Sequence, residues 1–464
     1  MKLYKHQEES IDKMIERATG FMNFSEMGTG KTPATIVAAT RLLVDRVLVV
    51  CLNSLKMNWE SEWLKWASED WNVFVIKGSK KNKESIVKCA TETKCKSVVI
   101  INYEMVAGMF EQLKKYKPSL IICDEVHSIK SHTAKKTKAL KKIPSTYKWG
   151  LTGTPTPNSP LDIWSLYDWI RPGYLSKSFY GFRSIYADVY TGAGFPIIRK
   201  FRNIDEASRD PSFPKERLLQ PMVSLYSYRI TKDECLDLPD KIFQDIFIEL
   251  DPSTKKIYRD MLEDMVASIG TDTVSASTAL VKLLRLQQIT SGFIQSEEGL
   301  LDVGCEKLNA LEELLDSLCK EKVVVWCRFI HEIHSIQNLC KKNKRKYFLL
   351  YGEVSIDDRN NAVKDFNTID EPSILIANMS VGGVGLNLTG SRYAIYFSRS
   401  FSYGDYVQSV DRQHRIGQKH KVTYYNLMCK GTVDEYIGKI LEKKQDMMSK
   451  ITGDDIRKIG LGCA

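Results

Sequence analysis

The feature that most restricts the fold is an eight-residue stretch, Ser-Glu-Met-Gly-Thr-Gly-Lys-Thr, at positions 25–32. It follows an apolar segment that includes Phe21 and Phe24, and it precedes a helical pattern that begins near Ala34. Glycines in such a turn let backbone N–H groups point at a bound anion, and a helix N-terminus adds positive potential. The stretch therefore predicts a phosphate-binding loop between a buried strand and a helix.

Each residue type in this loop suits one part of a nucleotide. The phosphates would be surrounded by Gly28, Thr29 and Gly30. Lys31 would reach the outer phosphates, and the hydroxyl of Thr32 would hold Mg²⁺. The complete pattern begins with glycine where this chain has serine. A simple turn with an exposed lysine is therefore the alternative for the loop taken alone.

A second candidate for nucleotide binding lies about twenty residues before the loop, in the segment from Tyr4 to Gln7. A glutamine side chain carries a paired donor and acceptor, which matches the edge of an adenine base. Tyr4 and Gln7 are therefore predicted cofactor-binding residues, although this short segment is a weak signal by itself.

Short apolar runs follow the loop at a regular spacing, with helical or polar stretches between them. Such runs are typical of strands buried on both faces of a parallel sheet. They predict an α/β domain with helices on both faces. The runs are Val47–Leu52, Val73–Ile76, Val98–Asn102, Leu120–Cys123 and Trp149–Thr152.

Two carboxylates, Asp124 and Glu125, come directly after the fourth of these runs. The carboxyl end of a parallel strand is where a bound nucleotide and its cation are found in such sheets. Asp124 would bind Mg²⁺, and Glu125 would polarise the water that attacks the γ-phosphate. An acidic strand-to-loop transition without catalytic function is the alternative.

The second half repeats the alternation, with Val323–Trp326, Phe348–Tyr351, Ile374–Ala377, Tyr393–Phe397 and Val422–Asn426. This alternation predicts a second parallel sheet. Because only the first half has a phosphate loop, we expect the second half to supply a lid over one nucleotide. We therefore expect an N-terminal lobe at 1–230 with an insertion at about 157–225. A C-terminal lobe would occupy 231–464, with a helical insertion at about 251–293.

Aromatic and basic residues interleave within the first insertion, between Phe179 and Arg202. Such a pattern suits base stacking and phosphate neutralisation. The simpler interpretation, favoured for most of these side chains, is that the aromatic residues form the insertion's own core. The segment from Thr191 to Gly194 reads as a hairpin turn whose strands would contact a DNA fork.

Late in the chain, Arg412 and Arg415 lie within a segment that reads Gln-Ser-Val-Asp-Arg-Gln-His-Arg-Ile-Gly-Gln. If this segment is helical, side chains three residues apart share a face. Both guanidinium groups would then reach the γ-phosphate and stabilise the charge of the transition state. A surface arginine pair is the alternative.

Composition limits the classes of protein to consider. The 464 residues are 43% hydrophobic and 27% charged, as in globular proteins of two or three domains. No apolar run approaches the roughly 20 residues of a membrane span, and no secretory segment begins the chain. The net charge of +10 suits a polyanion, although solvated lysine-rich helices would give the same excess. We expect an intracellular location, in the cytoplasm of a prokaryotic or virus-infected cell or in the nucleus.

Several of these motifs together resemble those of a known family. The sequences at 28–32, 124–127 and 151–155 resemble motifs I to III of superfamily-two helicases, and those at 382–388 and 408–418 resemble motifs V and VI. More narrowly, the chain resembles the Swi/Snf-like DNA-dependent ATPases. The resemblance implies two tandem RecA-like parallel-sheet lobes with helical insertions, in an α/β fold that binds ATP and Mg²⁺.

The resemblance also implies residue roles. Gly385 would contact the nucleotide, and nucleic-acid contacts would come from Ser54, Asn102, Tyr103, Arg328, Gly383 and Thr389. The chain departs from the family pattern at Tyr228-Arg229, where paired arginines are usual, and at Phe401-Ser402-Tyr403, where Trp-Asn-Pro is usual.

The family resemblance predicts an ATP-dependent DNA helicase or translocase that acts as a monomer. Its compact length and its aromatic-basic insertion favour remodelling of duplex, forked or branched DNA in replication, recombination or repair. Replication or recombination proteins would be its protein partners, and no membrane partner is expected. An RNA helicase of the Asp-Glu-x-His type and a non-catalytic DNA-binding clamp are the alternatives.

Overall fold

The structure is a computed structural model that describes residues 3–67, 71–192, 195–270, 276–296, 299–382 and 386–454. The chain divides into two compact units. The first comprises residues 1–237 and 444–464, and the second comprises residues 238–443. The C-terminal segment therefore groups with the N-terminal unit.

Strands make up the centre of both units. In chain order the described strands are β1 (Phe21–Asn23), β2 (Arg46–Cys51), β3 (Trp71–Val75), β4 (Lys96–Asn102), β5 (Leu120–Asp124), β6 (Tyr147–Leu151), β7 (Ala187–Gly192), β8 (Phe195–Phe201), β9 (Ser227–Tyr228), β10 (Lys241–Ile248), β11 (Phe293–Ser296), β12 (Gly299–Asp302), β13 (Lys322–Cys327), β14 (Tyr347–Leu350), β15 (Ser373–Asn378), β16 (Tyr393–Tyr396) and β17 (Val422–Cys429).

Helices connect these strands. The described α-helices are α1 (Lys5–Glu16), α2 (Lys31–Arg41), α3 (Lys56–Trp66), α4 (Lys80–Glu92), α5 (Tyr103–Val106), α6 (Phe110–Tyr116), α7 (Lys135–Lys142), α8 (Asp162–Ile170), α9 (Phe179–Tyr186), α10 (Leu219–Leu225), α11 (Lys232–Cys235), α12 (Pro252–Gly270), α13 (Ala276–Thr290), α14 (Glu306–Ser317), α15 (Ile330–Lys342), α16 (Ile356–Thr368), α17 (Met379–Gly382), α18 (Tyr403–Gln413) and α19 (Val433–Thr452). Among the described residues, none of these helices combines the length and the apolar character that a membrane span requires.

The first unit contains a parallel sheet in the order β3-β4-β2-β5-β6-β1-β9. Successive residues of one strand point into different cores: Leu48 and Val50 pack in one hydrophobic cluster, and Val47 and Val49 pack in another. Both faces of the sheet are therefore covered, which explains why its strands are continuous apolar runs. The predicted parallel sheet is confirmed.

The second unit contains another parallel sheet, in the order β10-β17-β16-β13-β15-β14. The prediction of two parallel-sheet lobes is thus confirmed. An ion pair buried in this unit joins Lys307 of α14 to Asp434 of α19 at 2.7 Å. The same carboxylate accepts hydrogen bonds from Thr290 Oγ1 at 3.2 Å and from Cys429 N at 3.1 Å. These bonds hold the start of α19 in the second unit.

The insertion of the first unit contains α8, α9 and a hairpin in which β7 and β8 are antiparallel. Phe182 and Tyr186 of α9 are core residues, as the simpler interpretation of the aromatic pattern predicts, but they belong to the hydrophobic core of the first unit rather than to a separate core of the insertion. The tip of the predicted turn, at 193–194, lies outside the described residues. The hairpin itself follows α9 without a linker, because α9 ends at Tyr186 and β7 begins at Ala187.

Candidate nucleotide-binding site

The phosphate loop connects β1 to the N-terminus of α2. Gly28 and Gly30 have φ angles of 81° and 83°, a left-handed conformation that side chains other than glycine rarely adopt. A Cβ atom on Gly30 would also lie 2.0 Å from Nε2 of Gln7. The left-handed φ at position 30 therefore favours glycine, and the end of the flexible Gln7 side chain would have to move to admit a larger residue.

Polar groups in and around this loop fit an anionic ligand. The Lys31 ammonium group donates to the carbonyl oxygens of Ser25 at 2.8 Å and of Glu26 at 2.9 Å, which holds the charge over the loop. Among the described residues, the Ser25 hydroxyl is buried without a hydrogen-bond partner. Thr32, the predicted Mg²⁺ ligand of the loop, is the second residue of α2 and is half-buried. This donor set fits a triphosphate with its cation.

The start of α1 is bound to the same loop. Gln7 Nε2 donates to the carbonyl oxygen of Thr29 at 3.4 Å, and its Oε1 accepts from Tyr4 N at 2.9 Å. Tyr4 is 54% exposed at the N-cap of α1. His6 Nε2 donates to the same Thr29 oxygen at 2.8 Å, a contact that the sequence analysis missed although His6 is adjacent to Gln7. These contacts tie the glutamine segment to the conformation of the loop.

Asp124, at the end of β5, is held from three sides. Its Oδ2 accepts from Trp59 Nε1 at 2.8 Å, and its Oδ1 accepts from the backbone N–H of Glu125 at 3.0 Å. The hydroxyl of Tyr103 donates to the Asp124 carbonyl oxygen at 2.6 Å. Burial, and secondarily the charge of Glu125, raises the pKa of Asp124 to about 6. A divalent cation at this position would relieve both effects.

Glu125 is buried and has a φ of 49°, an uncommon conformation for a residue with a side chain. Its Oε2 accepts from Thr152 Oγ1 at 3.2 Å. His127 Nδ1 lies 3.0 Å from that same hydroxyl oxygen and 3.4 Å from Glu125 Oε2. Strained backbone persists where the surrounding structure holds it, and such strain is concentrated at functional sites. The structure thus brings the segment at 124–127 and the Leu-Thr-Gly-Thr-Pro segment at 151–155 together at the Glu125 carboxylate.

In the second unit, Arg412 and Arg415 converge on one acceptor. Arg412 Nη1 lies 3.5 Å and Arg415 Nη1 3.1 Å from the carbonyl oxygen of Leu386. The expectation that both arginines lie on one helix is wrong, because α18 ends at Gln413. His414 leaves the helical conformation with a ψ of 81°, and its Nε2 donates to Pro239 O at 2.7 Å. Burial lowers the pKa of Arg415 from its ordinary value.

The predicted nucleic-acid contacts of the first unit differ in exposure. Ser54 is exposed in the short 3₁₀ helix Asn53–Leu55. Tyr103 is only 1% exposed, and Asn102 is buried with its Nδ2 donating to Glu104 Oε2 at 2.9 Å. We therefore assign Tyr103 to positioning Asp124, since its hydroxyl is already engaged there.

In the second unit, the predicted nucleic-acid residue Arg328 donates to the side chain of Gln287. The carbonyl oxygen of Thr389 accepts from Gln418 Nε2 at 3.4 Å. Gly383 and Gly385 lie outside the described residues.

Arg229, whose role the sequence leaves open, is buried next to the start of the phosphate loop. Its guanidinium group donates to the carbonyl oxygens of Phe24 at 2.6 Å and Gly153 at 3.2 Å, and it pairs with Asp454 at 2.9 Å. Glu26 of the loop lies 3.6 Å away. One buried cation thus joins the start of the phosphate loop, the Thr-Gly-Thr segment and the C-terminal segment.

Comparison with known proteins identifies the family. The model of the SNF2-related domain matches residues 6–292, more than half of the chain. The chain belongs to the SNF2-related family. A second model, the helicase conserved C-terminal domain, matches residues 306–417, so the predicted resemblance is confirmed over both halves.

Individual relatives share about a quarter of their residues with this SNF2-related chain. An uncharacterized ATP-dependent helicase of Mycoplasma pneumoniae is 28% identical over 98% of this chain and 42% of its own length. The human DNA repair and recombination protein RAD54B is 28% identical over 97% of this chain and 55% of its own. The chain thus spans about half the length of these relatives. Among solved structures, the Sulfolobus solfataricus SWI2/SNF2 ATPase core in complex with dsDNA is 26% identical, covers 97% of this chain and 93% of its own, and has a TM-score of 0.43.

Trp59 supplies a testable link between α3 and Asp124, the predicted Mg²⁺ ligand of this SNF2-related chain. We expect Trp59→Phe to raise the Mg²⁺ concentration for half-maximal ATP turnover about 10- to 100-fold, because it removes a hydrogen bond that orients the Asp124 carboxylate. A Mg²⁺ titration at saturating ATP measures this. Trp66→Phe is the matched control, since Trp66 is on the same helix but donates to Glu62 instead. An unchanged Mg²⁺ requirement in Trp59→Phe would contradict the positioning role.

The raised pKa of Asp124 predicts a pH effect on the nucleotide-free protein. The unfolded chain releases the Asp124 proton near pH 4, whereas the folded protein keeps it until about pH 6. Stability therefore falls as the pH rises through this window, and Asp124→Asn removes that loss. We expect the stability of the variant relative to the wild type to rise by about 1–3 kcal/mol between pH 4 and pH 7.5. Thermal unfolding without Mg²⁺ tests this, and an equal difference at both pH values would contradict it.

Proposed function

We propose that this chain is an ATP-dependent DNA translocase that remodels forked or branched DNA. The observation that carries the proposal is that Asp124 and a strained, hydrogen-bonded Glu125 lie at the end of a strand that is two places from the strand leading into the phosphate loop, in the same parallel sheet. The helicase conserved C-terminal domain in the second half supports a motor rather than a simple nucleotide switch.

In this proposal, each residue of the candidate nucleotide-binding site in the first unit has one task. Bound ATP with Mg²⁺ supplies the γ-phosphoryl group that is transferred to water. The backbone N–H groups of the loop and Lys31 would bind the phosphates, and Thr32 and Asp124 would hold the cation. Glu125 orients the attacking water and accepts its proton.

Two further groups keep this machinery in position. Thr152 and His127 hold the Glu125 carboxylate in one orientation. The orientation of this carboxylate therefore depends on the position of the segment that contains Thr152. In the second unit, Arg412 and Arg415 are proposed to stabilise the charge that develops on the transferred phosphoryl group. The shared carbonyl of Leu386 orients both guanidinium groups together.

Contacts from the segments predicted to bind DNA lead to Asp124, which supports coupling between DNA binding and hydrolysis. α3 and α5 follow or contain these segments. Trp59 of α3 donates to the Asp124 carboxylate, and Tyr103 of α5 donates to the Asp124 backbone carbonyl oxygen. A phosphate backbone that displaces these helices would therefore shift a metal ligand. Backbone contacts carry no sequence information, which suits movement along DNA.

DNA is favoured over RNA as the substrate, because RAD54B, named for DNA repair and recombination, matches 97% of this chain. That name, together with the aromatic-basic insertion, supports action on branched DNA with replication or recombination proteins as partners. The RNA helicase and the non-catalytic clamp are the competing functions.

Phosphate release measured with blunt duplex, forked, single-stranded and RNA ligands tests the proposal. We expect DNA to stimulate turnover at least tenfold, with steep weakening as salt rises, and RNA to have little effect. Fork and four-way-junction substrates then test remodelling. Stimulation by RNA alone would favour an RNA helicase, and no turnover with any ligand would favour the clamp.

A further inference from the structure

We propose that the β7–β8 hairpin binds unpaired bases of the DNA through a Tyr–Arg pair, Tyr190 and Arg199. The proposal rests on the proposed function only for the chemical class of the partner. It concerns a surface of the insertion that takes no part in the nucleotide site.

The two side chains form an exposed stack. Tyr190 is 51% exposed, and the guanidinium carbon of Arg199 lies 4.5 Å from the centre of its ring. Tyr180 and Arg183 on α9 repeat the arrangement, with Tyr180 68% exposed and a distance of 5.2 Å. A guanidinium group covers one face of a ring, so the opposite face remains available to a nucleobase.

The insertion does not need these rings for its own core. Phe182 and Tyr186, on the same helix as Tyr180, are 0% and 1% exposed and supply the packing. Within the described residues, no carboxylate forms an ion pair with Arg183 or Arg199. Their charges are therefore available to a phosphate group.

A β-bulge aims Arg199 at Tyr190. Asp188 pairs with Lys200, but the next residue, Val189, pairs with Ile198, so Arg199 is the extra residue of β8. A bulge re-aims a side chain and occurs often beside functional sites. The pair thus depends on a specific irregularity of the hairpin rather than on regular strand spacing.

The root of the hairpin is attached firmly to α9. Arg202 Nη2 donates to Ser184 O at 2.7 Å, and Asn203 Nδ2 donates to Ile185 O at 3.1 Å. Arg202 N also donates to Tyr186 O at 3.0 Å. The ring of Tyr190 is therefore presented on a braced support, which limits the entropy lost when a base stacks on it.

Unpaired bases fit this surface better than a duplex does. A base in a duplex is covered on both faces by its neighbours, whereas a base in a single-stranded arm exposes a face that can stack on tyrosine. Lys200, beside Arg199, is exposed and adds positive charge, partly offset by Asp188 across the hairpin. The ligand is therefore single-stranded DNA next to a junction.

Equilibrium binding without nucleotide tests the proposal and is independent of ATP turnover. Fluorescence anisotropy would compare a fork that has one oligothymidine arm with a blunt duplex of equal length. Tyr190→Ala is expected to weaken fork binding about 5- to 100-fold and to leave duplex binding within about twofold. Tyr190→Phe should bind like the wild type, because the stacking ring remains.

Tyr436→Ala is the matched control, since Tyr436 is 53% exposed outside the insertion. Photocrosslinking of a 5-iodouracil arm, followed by peptide mapping, adds a direct readout and should identify the β7 peptide. The proposal would be overturned if Tyr190→Ala lost fork and duplex binding equally or lost no binding at all. A crosslink that mapped outside the hairpin would also overturn it. A protein that binds forks in this way but does not hydrolyse ATP would overturn only the proposed function.

Discussion

Replacing Glu125 with glutamine is expected to lower ATP turnover by about 10²- to 10⁴-fold, which is the contribution of a well-placed general base. Glutamine has the shape of glutamate and can still accept the hydrogen bond from Thr152 Oγ1. It cannot accept a proton from the attacking water. Lys31→Ala should abolish turnover as well, but by weakening phosphate binding.

Steady-state phosphate release and the affinity for a fluorescent ATP analogue, measured side by side, separate these two effects. Glu125→Gln should bind the analogue like the wild type, whereas Lys31→Ala should not. Glu111→Gln is the matched control, because Glu111 is an exposed carboxylate on α6 of the same unit. DNA-stimulated turnover within tenfold of the wild type in Glu125→Gln would show that another group is the base.

Replacing Arg229 with methionine is expected to destabilise the first unit by about 3–5 kcal/mol, since removal of one partner leaves a buried charge without compensation. The Arg229 side chain is 5% exposed, and that of Asp454 is 9% exposed. The carbonyl oxygens of Phe24 and Gly153 lose a donor in the same change. Such a loss is a large part of the 5–15 kcal/mol that stabilises a typical domain.

Tryptophan fluorescence during urea unfolding is a suitable measurement, because Trp326 is the only one of the eight tryptophans outside residues 1–237. Arg41→Met is the control: Arg41 pairs with Glu8 at 2.8 Å, but both side chains are more than 40% exposed. An exposed pair contributes about 1 kcal/mol or less. Similar midpoints for the two variants would show that the buried cluster does not hold the unit together.

Asp454→Asn extends this prediction to the C-terminal segment. The variant removes the charge that neutralises Arg229, so the loss of stability should be comparable. A chain that ends at residue 443 should lose the same contribution, together with the buried packing of Ile451 in the core of the first unit. Full stability in the shortened chain would contradict a role for this segment in the first unit.

The sequence by itself determined the family and both parallel sheets. Continuous apolar runs such as Val47–Leu52 and Val323–Trp326 are typical of parallel strands that are buried on both faces. The roles of Gly30 and Lys31 can also be predicted from the sequence, because a phosphate loop needs a left-handed glycine and a cation at adjacent positions. Local chemistry and chain order are sufficient for these features.

Only the tertiary structure decided which distant groups meet. The contacts of Trp59 with Asp124, of Thr152 with Glu125, and of Arg229 with Asp454 join residues 27 to 225 positions apart. No periodicity encodes such pairs, because they depend on how the strands are ordered and where the chain returns. The end of α18 at Gln413 also depends on a long-range contact, since the hydrogen bond from His414 to Pro239 favours a departure from the helix. Long-range hydrogen bonds and buried charges, rather than local propensity, therefore shape the site.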